Sequence, residues 1–204
     1  MKMNAIFGDK VEVIILCGGY SSRMGFPKPF LEIDNNLLVQ HISNVYRNFG
    51  VKNPIIVLNK ELYSDNWMNN INALSLNNCL VKNEFPDLGR SYSLEIGLKL
   101  LDKNVACFIQ NIDNPDISVE LLRNMFQELE SDNFVVACNT GIGGHPILVG
   151  KEIINHLKQM NGSEWILKDE LKRFSKVKVE ASSNNVLLNL NTQEEWKSYL
   201  NKKS

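Results

Sequence analysis

The sequence has little of what marks several common protein classes. Its formal net charge is only -1 over 204 residues, so it lacks the basic excess with which a general nucleic-acid-binding surface neutralises phosphates. No basic stripe with interleaved aromatic residues occurs, and no apolar run reaches the length of a membrane span. These absences predict a protein with no nucleic-acid partner and no membrane partner.

Cysteine is scarce and dispersed. None of the four cysteines, Cys17, Cys79, Cys107 and Cys138, forms a close pair, which favours small buried side chains over a disulfide framework or a zinc site. The segment Met1 to Lys10 carries charges and no long apolar stretch, so it does not read as a signal peptide. Together these features predict a cytoplasmic location, where thiols stay reduced.

What the sequence does contain is an alternation of short apolar runs with amphipathic segments. Strands are predicted at 11–17, 55–58, 79–81, 105–112, 134–138, 146–149, 177–179 and 186–190. Helices are predicted at 37–49, 91–101, 118–129, 151–160, 164–174 and 193–200, with a turn at 141–144. This order predicts an α/β fold, a Rossmann-like, mostly parallel sheet flanked by helices in three layers, forming one domain over residues 1–204.

The first predicted strand runs into a loop, Gly18 to Lys28, that is rich in glycine and cations. Glycines let backbone N–H groups approach an anion, Arg23 offers a planar fork for phosphate oxygens, and Lys28 offers a point charge. The spacing matches neither GxxxxGK[ST] nor GxGxxG. The loop is therefore either a triphosphate cradle or a solvated turn with two surface cations.

The stretch Leu16 to Leu31, LCGGYSSRMGFPKPFL, resembles the signature of the molybdenum-cofactor-type (MobA-like) NTP transferases, roughly L-A-[AG]-G-x-S-x-R-M-G-x-x-K-x-L-L. The resemblance implies the fold of nucleotide-diphospho-sugar transferases. It implies that Leu16, Cys17, Gly18, Gly19 and Ser21 surround the nucleotide. It also implies that Arg23 and Lys28 contact the phosphates and act in catalysis.

A second stretch, Asn83 to Leu94, is similar to the N-x-x-x-x-x-G-x-x-x-S-L segment of the cytidylyltransferase branch. The resemblance implies that Asn83 and Ser93 help to bind the base and ribose. Gly89 stands near a helix start, where the helix dipole favours an anionic ligand, and is taken as nucleotide-binding. An ordinary capped helix is the alternative.

Asp113 follows a strand, within Asn-Ile-Asp-Asn-Pro, where a carboxylate can hold Mg²⁺ together with substrate phosphates. A simple turn is the alternative, but the family carries Asp-x-Pro here, which implies a catalytic, metal-binding role for Asp113. Near the C-terminus the family carries D-[IV]-D-T-P-E-D or N-x-N-T-P-E. This chain has Asn189 and Asn191 there, and Gln193 in place of proline. Asn189 is a candidate metal ligand, and a capped helix start is the alternative.

The segment Gly144-His145-Pro146 resembles the G-H-P-[VI]-L-[FV] segment of the same family. The resemblance places His145 on the acceptor side of the site, in a role other than general base. A lone histidine with a purely structural role is the alternative.

The resemblance implies a Mg²⁺-dependent enzyme that transfers a nucleotide from an NTP to a small phosphorylated acceptor, molybdopterin first, with release of pyrophosphate. Gly18 and the Asn189–Asn191 pair resemble the guanylyl branch, whereas the middle segments and Gly-His-Pro resemble the cytidylyl branch. CTP is favoured over GTP. Two alternatives remain open: a cytidylyltransferase for a sugar, polyol or isoprenoid-precursor phosphate, and a nucleotide-binding module without catalysis.

Overall fold

The structure is a computed structural model that describes residues 11–102, 104–160 and 165–203. The segment Met1 to Lys10, for which no signal peptide is predicted, lies outside the described residues, as does Glu164 at the start of one predicted helix. Within the described part of the chain, no helix combines the length and the apolar character needed to cross a membrane.

Strands and helices alternate along most of the chain. The strands are β1 (Val11–Cys17), β2 (Glu32–Ile33), β3 (Asn36–Leu37), β4 (Ile55–Asn59), β5 (Cys79–Asn83), β6 (Ala106–Asn111), β7 (Asn133–Asn139), β8 (Ile142–Val149) and β9 (Ser175–Glu180). The α-helices are α1 (Leu38–Phe49), α2 (Met68–Ser75), α3 (Gly89–Leu98), α4 (Val119–Gln127), α5 (Lys151–Leu157), α6 (Leu167–Glu170) and α7 (Gln193–Lys203). Short 3-10 turns lie at Lys28–Phe30, Lys60–Leu62, Asp65–Trp67, Pro86–Leu88, Leu171–Arg173 and Asn184–Leu187.

Seven strands form one sheet in the order β5-β4-β1-β6-β8-β7-β9, and β2 pairs with β3 in a separate hairpin. β5, β4, β1 and β6 are parallel, β8 is antiparallel to both β6 and β7, and β9 is parallel to β7. The carboxyl ends of β1, β5 and β6 therefore meet at one edge of the sheet, where ligands bind in folds of this kind.

The strands bury both faces, which makes the molecule three-layered. Val13 and Ile15 of β1 point into one apolar cluster, with side chains of α1, α4 and α7, whereas Ile14 and Leu16 point into a second cluster, with α3 and α5. This alternation follows from the two-residue period of a strand. The predicted fold class, a mostly parallel sheet flanked by helices, is confirmed.

Most predicted elements are present, with shifted ends. Residues 141–144 were predicted as a turn before a short strand, but β8 already begins at Ile142, because the turn is made by Thr140 and Gly141 at positive φ. Helix α4 begins after the predicted N-cap Ser118, whose Oγ accepts a hydrogen bond from the Leu121 N–H at 3.1 Å.

Two predictions near the C-terminus are wrong in kind or extent. The predicted strand 186–190 is a 3-10 turn followed by extended chain, because its backbone bonds to the loop after β6: the Leu190 N–H donates to the Asp113 carbonyl at 3.0 Å. The predicted helix 164–174 is reduced, in its described part, to α6 and a 3-10 turn, since Phe174 adopts an extended conformation and leads into β9. Helix α2 and the β2–β3 hairpin were not predicted.

Candidate active site

The loop after β1 is a tight turn organised by Ser21. This residue has a positive φ of 53°, and its carbonyl accepts hydrogen bonds from the N–H groups of Met24 and Gly25 at 2.9 and 3.2 Å. Its hydroxyl accepts from the Lys28 N–H at 3.2 Å. Met24 is buried in the core and anchors the turn. The loop is therefore built into the fold, and it leaves Arg23 exposed to solvent.

Gly18 lies directly against the start of α3. A Cβ at this position would stand 2.5 Å from Ser93 Oγ and 3.2 Å from Asn83 Nδ2, so only glycine fits without displacement. Asn83 Nδ2 donates to Ser93 Oγ at 2.9 Å, and both residues are buried. The first loop, the end of β5 and α3 thus meet at a three-way contact, which places the predicted base-binding residues under the glycine loop.

Lys28 is buried although it is charged, with 9% of its surface exposed. Its Nζ donates to Asn191 Oδ1 at 2.8 Å. Burial lowers the pKa of Lys28, the charge of Asp113 acts in the opposite direction, and Arg23 and Arg90 add to the lowering. A buried ammonium whose hydrogen-bond partner is a neutral amide is a group prepared for an anionic ligand.

The loop that carries Asp113 rests on a buried polar network. Gln110 Nε2 donates to the carbonyls of Asn111 at 2.7 Å and Asn114 at 2.8 Å, and Tyr46 Oη donates to Gln110 Oε1 at 2.9 Å. Gln110 and Tyr46 are fully buried. Because an unpaired buried polar group is costly, the network fixes the backbone on both sides of Asp113.

Asp113 has the environment expected of a single-carboxylate metal ligand. Its Oδ1 is buried and has no hydrogen-bond partner among the described residues. No cluster of three or more His, Cys, Asp or Glu residues able to hold a metal occurs in the ranges that the structure describes. One carboxylate with an unsatisfied oxygen suits Mg²⁺, which binds few carboxylates and shares its remaining sites with phosphates and water.

The C-terminal Asn-Leu-Asn-Thr-Gln segment closes the cleft from the far side. Gln193, which stands where the family has proline, donates its Nε2 to the Met24 carbonyl at 2.9 Å. Thr192 and Glu195 form a reciprocal cap: Glu195 N–H donates to Thr192 Oγ1 at 3.2 Å, and Glu195 Oε2 accepts from the Thr192 N–H at 2.9 Å. The segment is thus both a helix start and a wall of the site.

These loops enclose a cleft of about 260 Å³. Most of the residues predicted for the nucleotide and its phosphates line it: Leu16, Cys17, Gly18, Gly19, Ser21, Arg23, Lys28, Gly89, Ser93 and Asp113. Asn83 is not among the residues that line the cleft, but it donates a hydrogen bond to Ser93, which lines it. Asn191 also lines the cleft, so the structure brings together residues as far apart in sequence as Lys28 and Asn191, which are separated by 163 positions.

A second, larger cavity of about 1030 Å³ adjoins the cleft, and both are lined by Leu16, Arg90 and Asn111. His145 and Asn189 line this cavity. His145 Nε2 lies 2.8 Å from Asn111 Nδ2, and burial lowers the pKa of the imidazole, with Arg90 adding to the lowering and Asp113 opposing it. His145 therefore lies at the junction between the two spaces, whereas Asn189 lies beside the larger one and Asn191 in the cleft.

Two residues of the site were not predicted from the sequence. Arg90 lines both cavities from the first turn of α3, and Asn111 lines both from the end of β6. Asn111 does have a sequence signal, since it is the last polar residue of a buried strand, two positions before Asp113. Arg90 follows Gly89 directly, but an exposed arginine in a helix gives no signal without its neighbours in space.

Comparison with known proteins gives the family. Residues 13–177 match the model of the MobA-like NTP transferase domain. The chain is 32% identical over 130 residues to a molybdenum cofactor guanylyltransferase of Syntrophotalea carbinolica, covering 64% of this chain and 56% of that protein. It is 27% identical to the molybdenum cofactor guanylyltransferase of Campylobacter jejuni subsp. doylei, and the match covers 94% of this chain and 96% of that protein. It is 22% identical to the molybdenum cofactor cytidylyltransferase of Escherichia coli, and that match covers 91% of this chain and 93% of the relative.

Solved structures share the fold of this chain. A nucleotidyl transferase of Methanothermobacter superposes with a TM-score of 0.76 at 19% identity, covering 96% of this chain and 98% of that one. The match to the family model spans β1 to β9 and includes the glycine loop, the Asn83–Ser93 segment and the Asp113 loop. The chain belongs to the family of MobA-like NTP transferase domains.

Proposed function

We propose that this protein transfers a nucleoside monophosphate from an NTP to the phosphate of a small acceptor, with molybdopterin as the acceptor and pyrophosphate as the second product. One observation carries the proposal: Lys28, Arg23 and the unpartnered carboxylate oxygen of Asp113 converge on one cleft beneath a glycine loop. Cations and a free carboxylate together suit a metal-bound triphosphate, which a purely structural turn would not require.

The proposed reaction forms one bond and breaks one. An oxygen of the acceptor phosphate attacks the α-phosphorus of the NTP, a new P–O bond forms, and the bond from the α-phosphorus to the bridging oxygen breaks. Pyrophosphate leaves with that electron pair. The protein supplies positioning and charge, with Lys28 and Arg23 stabilising negative charge on the phosphates while Gln110 holds the loop of Asp113.

We propose Mg²⁺ as the metal, held by Asp113 together with the phosphates of the donor. Bound there, Mg²⁺ neutralises phosphate charge. Asn191 Oδ1 accepts a hydrogen bond from Lys28. Asn189, which lines the larger cavity, remains the proposed second, neutral ligand.

The larger cavity is proposed to hold the acceptor. Arg90 and Asn111 line both spaces, so an acceptor phosphate held between them lies next to the donor cleft. His145 faces Asn111, and we assign it a positioning role: the neutral imidazole, favoured by burial, accepts from the Asn111 amide and fixes its orientation. The orientation of the Asn111 side chain decides whether its NH2 group or its carbonyl oxygen faces the reacting phosphate.

CTP is the proposed donor and GTP the second candidate. The buried Asn83–Ser93 pair under Gly18 belongs to the segment that resembles the cytidylyl branch. The guanylyltransferase names of the relatives with 27% and 32% identity favour GTP. Transfer to a sugar, polyol or isoprenoid-precursor phosphate, and nucleotide binding without turnover, remain the alternative functions.

A donor-by-acceptor matrix tests the proposal. Purified protein is incubated with ATP, CTP, GTP or UTP, with and without Mg²⁺, and with molybdopterin or a polyol phosphate, and pyrophosphate release is followed. We expect release only with CTP, Mg²⁺ and molybdopterin together. Release with GTP instead of CTP would assign the chain to the guanylyl branch. Release with the polyol phosphate would identify a different acceptor. No release in any combination would reject the proposed catalysis.

A further inference from the structure

The stretch of chain from Leu188 to Gln193, called here the C-terminal segment, bonds to both loops that carry the charges of the cleft. Its first half bonds to the loop after β6. The Leu190 N–H donates to the Asp113 carbonyl at 3.0 Å, and the Leu188 carbonyl accepts a hydrogen bond from the side chain of Asn114. The backbone of this half is therefore held against the proposed metal ligand.

The second half of the C-terminal segment bonds to the glycine loop after β1. Asn191 Oδ1 accepts from Lys28 Nζ at 2.8 Å, and Gln193 Nε2 donates to the Met24 carbonyl at 2.9 Å. Six consecutive residues thus join the loop of Lys28 to the loop of Asp113, and these two loops come from different strands of the sheet.

The hydrogen bond from Gln193 reaches the turn on which the cations of the glycine loop stand. Met24 lies between Arg23 and Gly25, and Lys28 follows in the same loop. Gly25 has a positive φ of 67°, and a Cβ built there would lie 3.3 Å from Gln193 Nε2. The amide of Gln193 therefore packs over the turn as well as bonding to it.

The backbone that carries Gln193 is itself fixed. Glu195 Oε2 accepts hydrogen bonds from the N–H groups of Asn191 and Thr192 at 2.6 and 2.9 Å, and helix α7 begins at Gln193. The first position of a helix favours proline, whose missing N–H has no partner within the helix in any case. The start of the helix therefore does not require glutamine at this position, whereas the bond to Met24 does.

We infer that Gln193 is a positioning residue, which holds the glycine loop at the correct distance from Asp113. The metal held by Asp113 and the cation of Lys28 must meet the same triphosphate. Mg²⁺ demands near-ideal octahedral geometry, so a small displacement between the two loops weakens what the metal adds to nucleotide binding. This inference rests on the proposed function for the metal-bound triphosphate, and it adds the residue that positions the two loops.

Nucleotide binding with and without the metal tests the inference. The dissociation constants of CTP and GTP are measured by titration calorimetry in Mg²⁺ and in EDTA, and their ratio is the Mg²⁺ gain. We expect Gln193→Leu and Gln193→Pro each to lower the Mg²⁺ gain of the wild-type protein by about 2-fold to 10-fold, the size of one hydrogen bond. Gln193→Pro separates the two roles of the residue, because a residue that only starts the helix is replaced by proline without loss.

Gln127→Leu is the matched control. Gln127 is an exposed glutamine at the end of α4, outside the lining of the cleft, so its replacement should keep the full Mg²⁺ gain. Melting curves verify that all variants are folded. An unchanged gain in either Gln193 variant, an equal loss in Gln127→Leu, or a wild-type protein without any Mg²⁺ gain overturns the inference.

The outcome is separable from that of the proposed function, because binding is measured without an acceptor. A reduced Mg²⁺ gain in the Gln193 variants, with no pyrophosphate release from any donor and acceptor, would support the positioning role and reject the transfer. Pyrophosphate release by the wild-type protein, with an unchanged Mg²⁺ gain in the variants, would support the transfer and reject the positioning role.

Discussion

The cleft and the larger cavity are neighbours built in different ways. The cleft comes from three compact loops at the carboxyl ends of β1, β5 and β6. The cavity is lined by residues of β6, β7, β8 and β9 and of the segment around α6. Loops concentrate function into contiguous motifs, whereas a sheet face distributes it over residues of several strands. The cleft should therefore be sensitive to single substitutions and the cavity more tolerant.

The largest expected effect concerns the charges of the cleft. Lys28→Ala and Asp113→Ala should each lower kcat/KM by about 100-fold to 1000-fold, the scale of losing one transition-state electrostatic contact of ~2.7–4 kcal/mol. The measurement is pyrophosphate release at saturating Mg²⁺. The exposed residues Lys197 and Asp132, each changed to alanine, serve as controls. Full turnover of either cleft variant would contradict the assignment.

The next largest effect concerns the buried hydrogen-bond network that holds the Asp113 loop, and it is measured on stability instead of activity. Gln110→Leu removes, in a buried site, the side-chain partner of the Asn114 carbonyl and of the Tyr46 hydroxyl, and one of the two hydrogen bonds to the Asn111 carbonyl, which still accepts from the Asn114 N–H. We expect a loss of roughly 2–4 kcal/mol in the free energy of unfolding, measured by urea denaturation. Tyr46→Phe removes only one bond of the network and should lose less. An unchanged unfolding midpoint for Gln110→Leu would show that the network does not hold the Asp113 loop.

Gly18→Ala tests how sensitive the cleft is to a change at one contact, the one between position 18 and Ser93. The added Cβ would meet Ser93 Oγ at 2.5 Å, and overpacking of this kind costs about 1–3 kcal/mol. The free energy of unfolding, measured by urea denaturation, should fall by this amount. The double variant Gly18→Ala with Ser93→Ala removes the hydroxyl in question. It should recover much of the loss, and failure to do so would place the effect elsewhere.

The smallest effect is a pH dependence on the cavity side. The folded-state pKa of His145 is lowered from its ordinary 6.5 by burial, with Arg90 lowering it further and Asp113 opposing. The unfolded chain then takes up the proton first. The stability that neutral His145 contributes is present above pH 6.5 and is lost as the pH falls from there through the folded pKa.

The His145→Asn variant tests this sign. Its melting temperature should fall less than that of the wild type between pH 7.5 and pH 5.5, by a few degrees, since ~1 kcal/mol corresponds to about 2–4 °C in a domain of this size. An identical decrease in both proteins would show that His145 does not titrate between these values.

The same contrast explains what the sequence predicts. The fold class follows from the order of apolar runs. Gly18, Lys28 and Asp113, which line one cleft, are predicted from sequence because each belongs to a short motif beside a strand. Arg90 and Asn111 are not predicted, since they come together only once helix α3 packs against the sheet. The false strand at 186–190 has a similar cause. Its apolar residues are buried or partly buried, but the backbone bonds to the Asp113 loop instead of to a strand.

One labelling measurement tests the central claim most directly. The protein is incubated with Mg²⁺, molybdopterin and CTP labelled at either the α- or the γ-phosphorus. We predict that the α-label enters the pterin product and the γ-label appears only in pyrophosphate. A γ-label in the acceptor, or no transfer of either label from any of the four nucleotides, would contradict nucleotidyl transfer at this cleft.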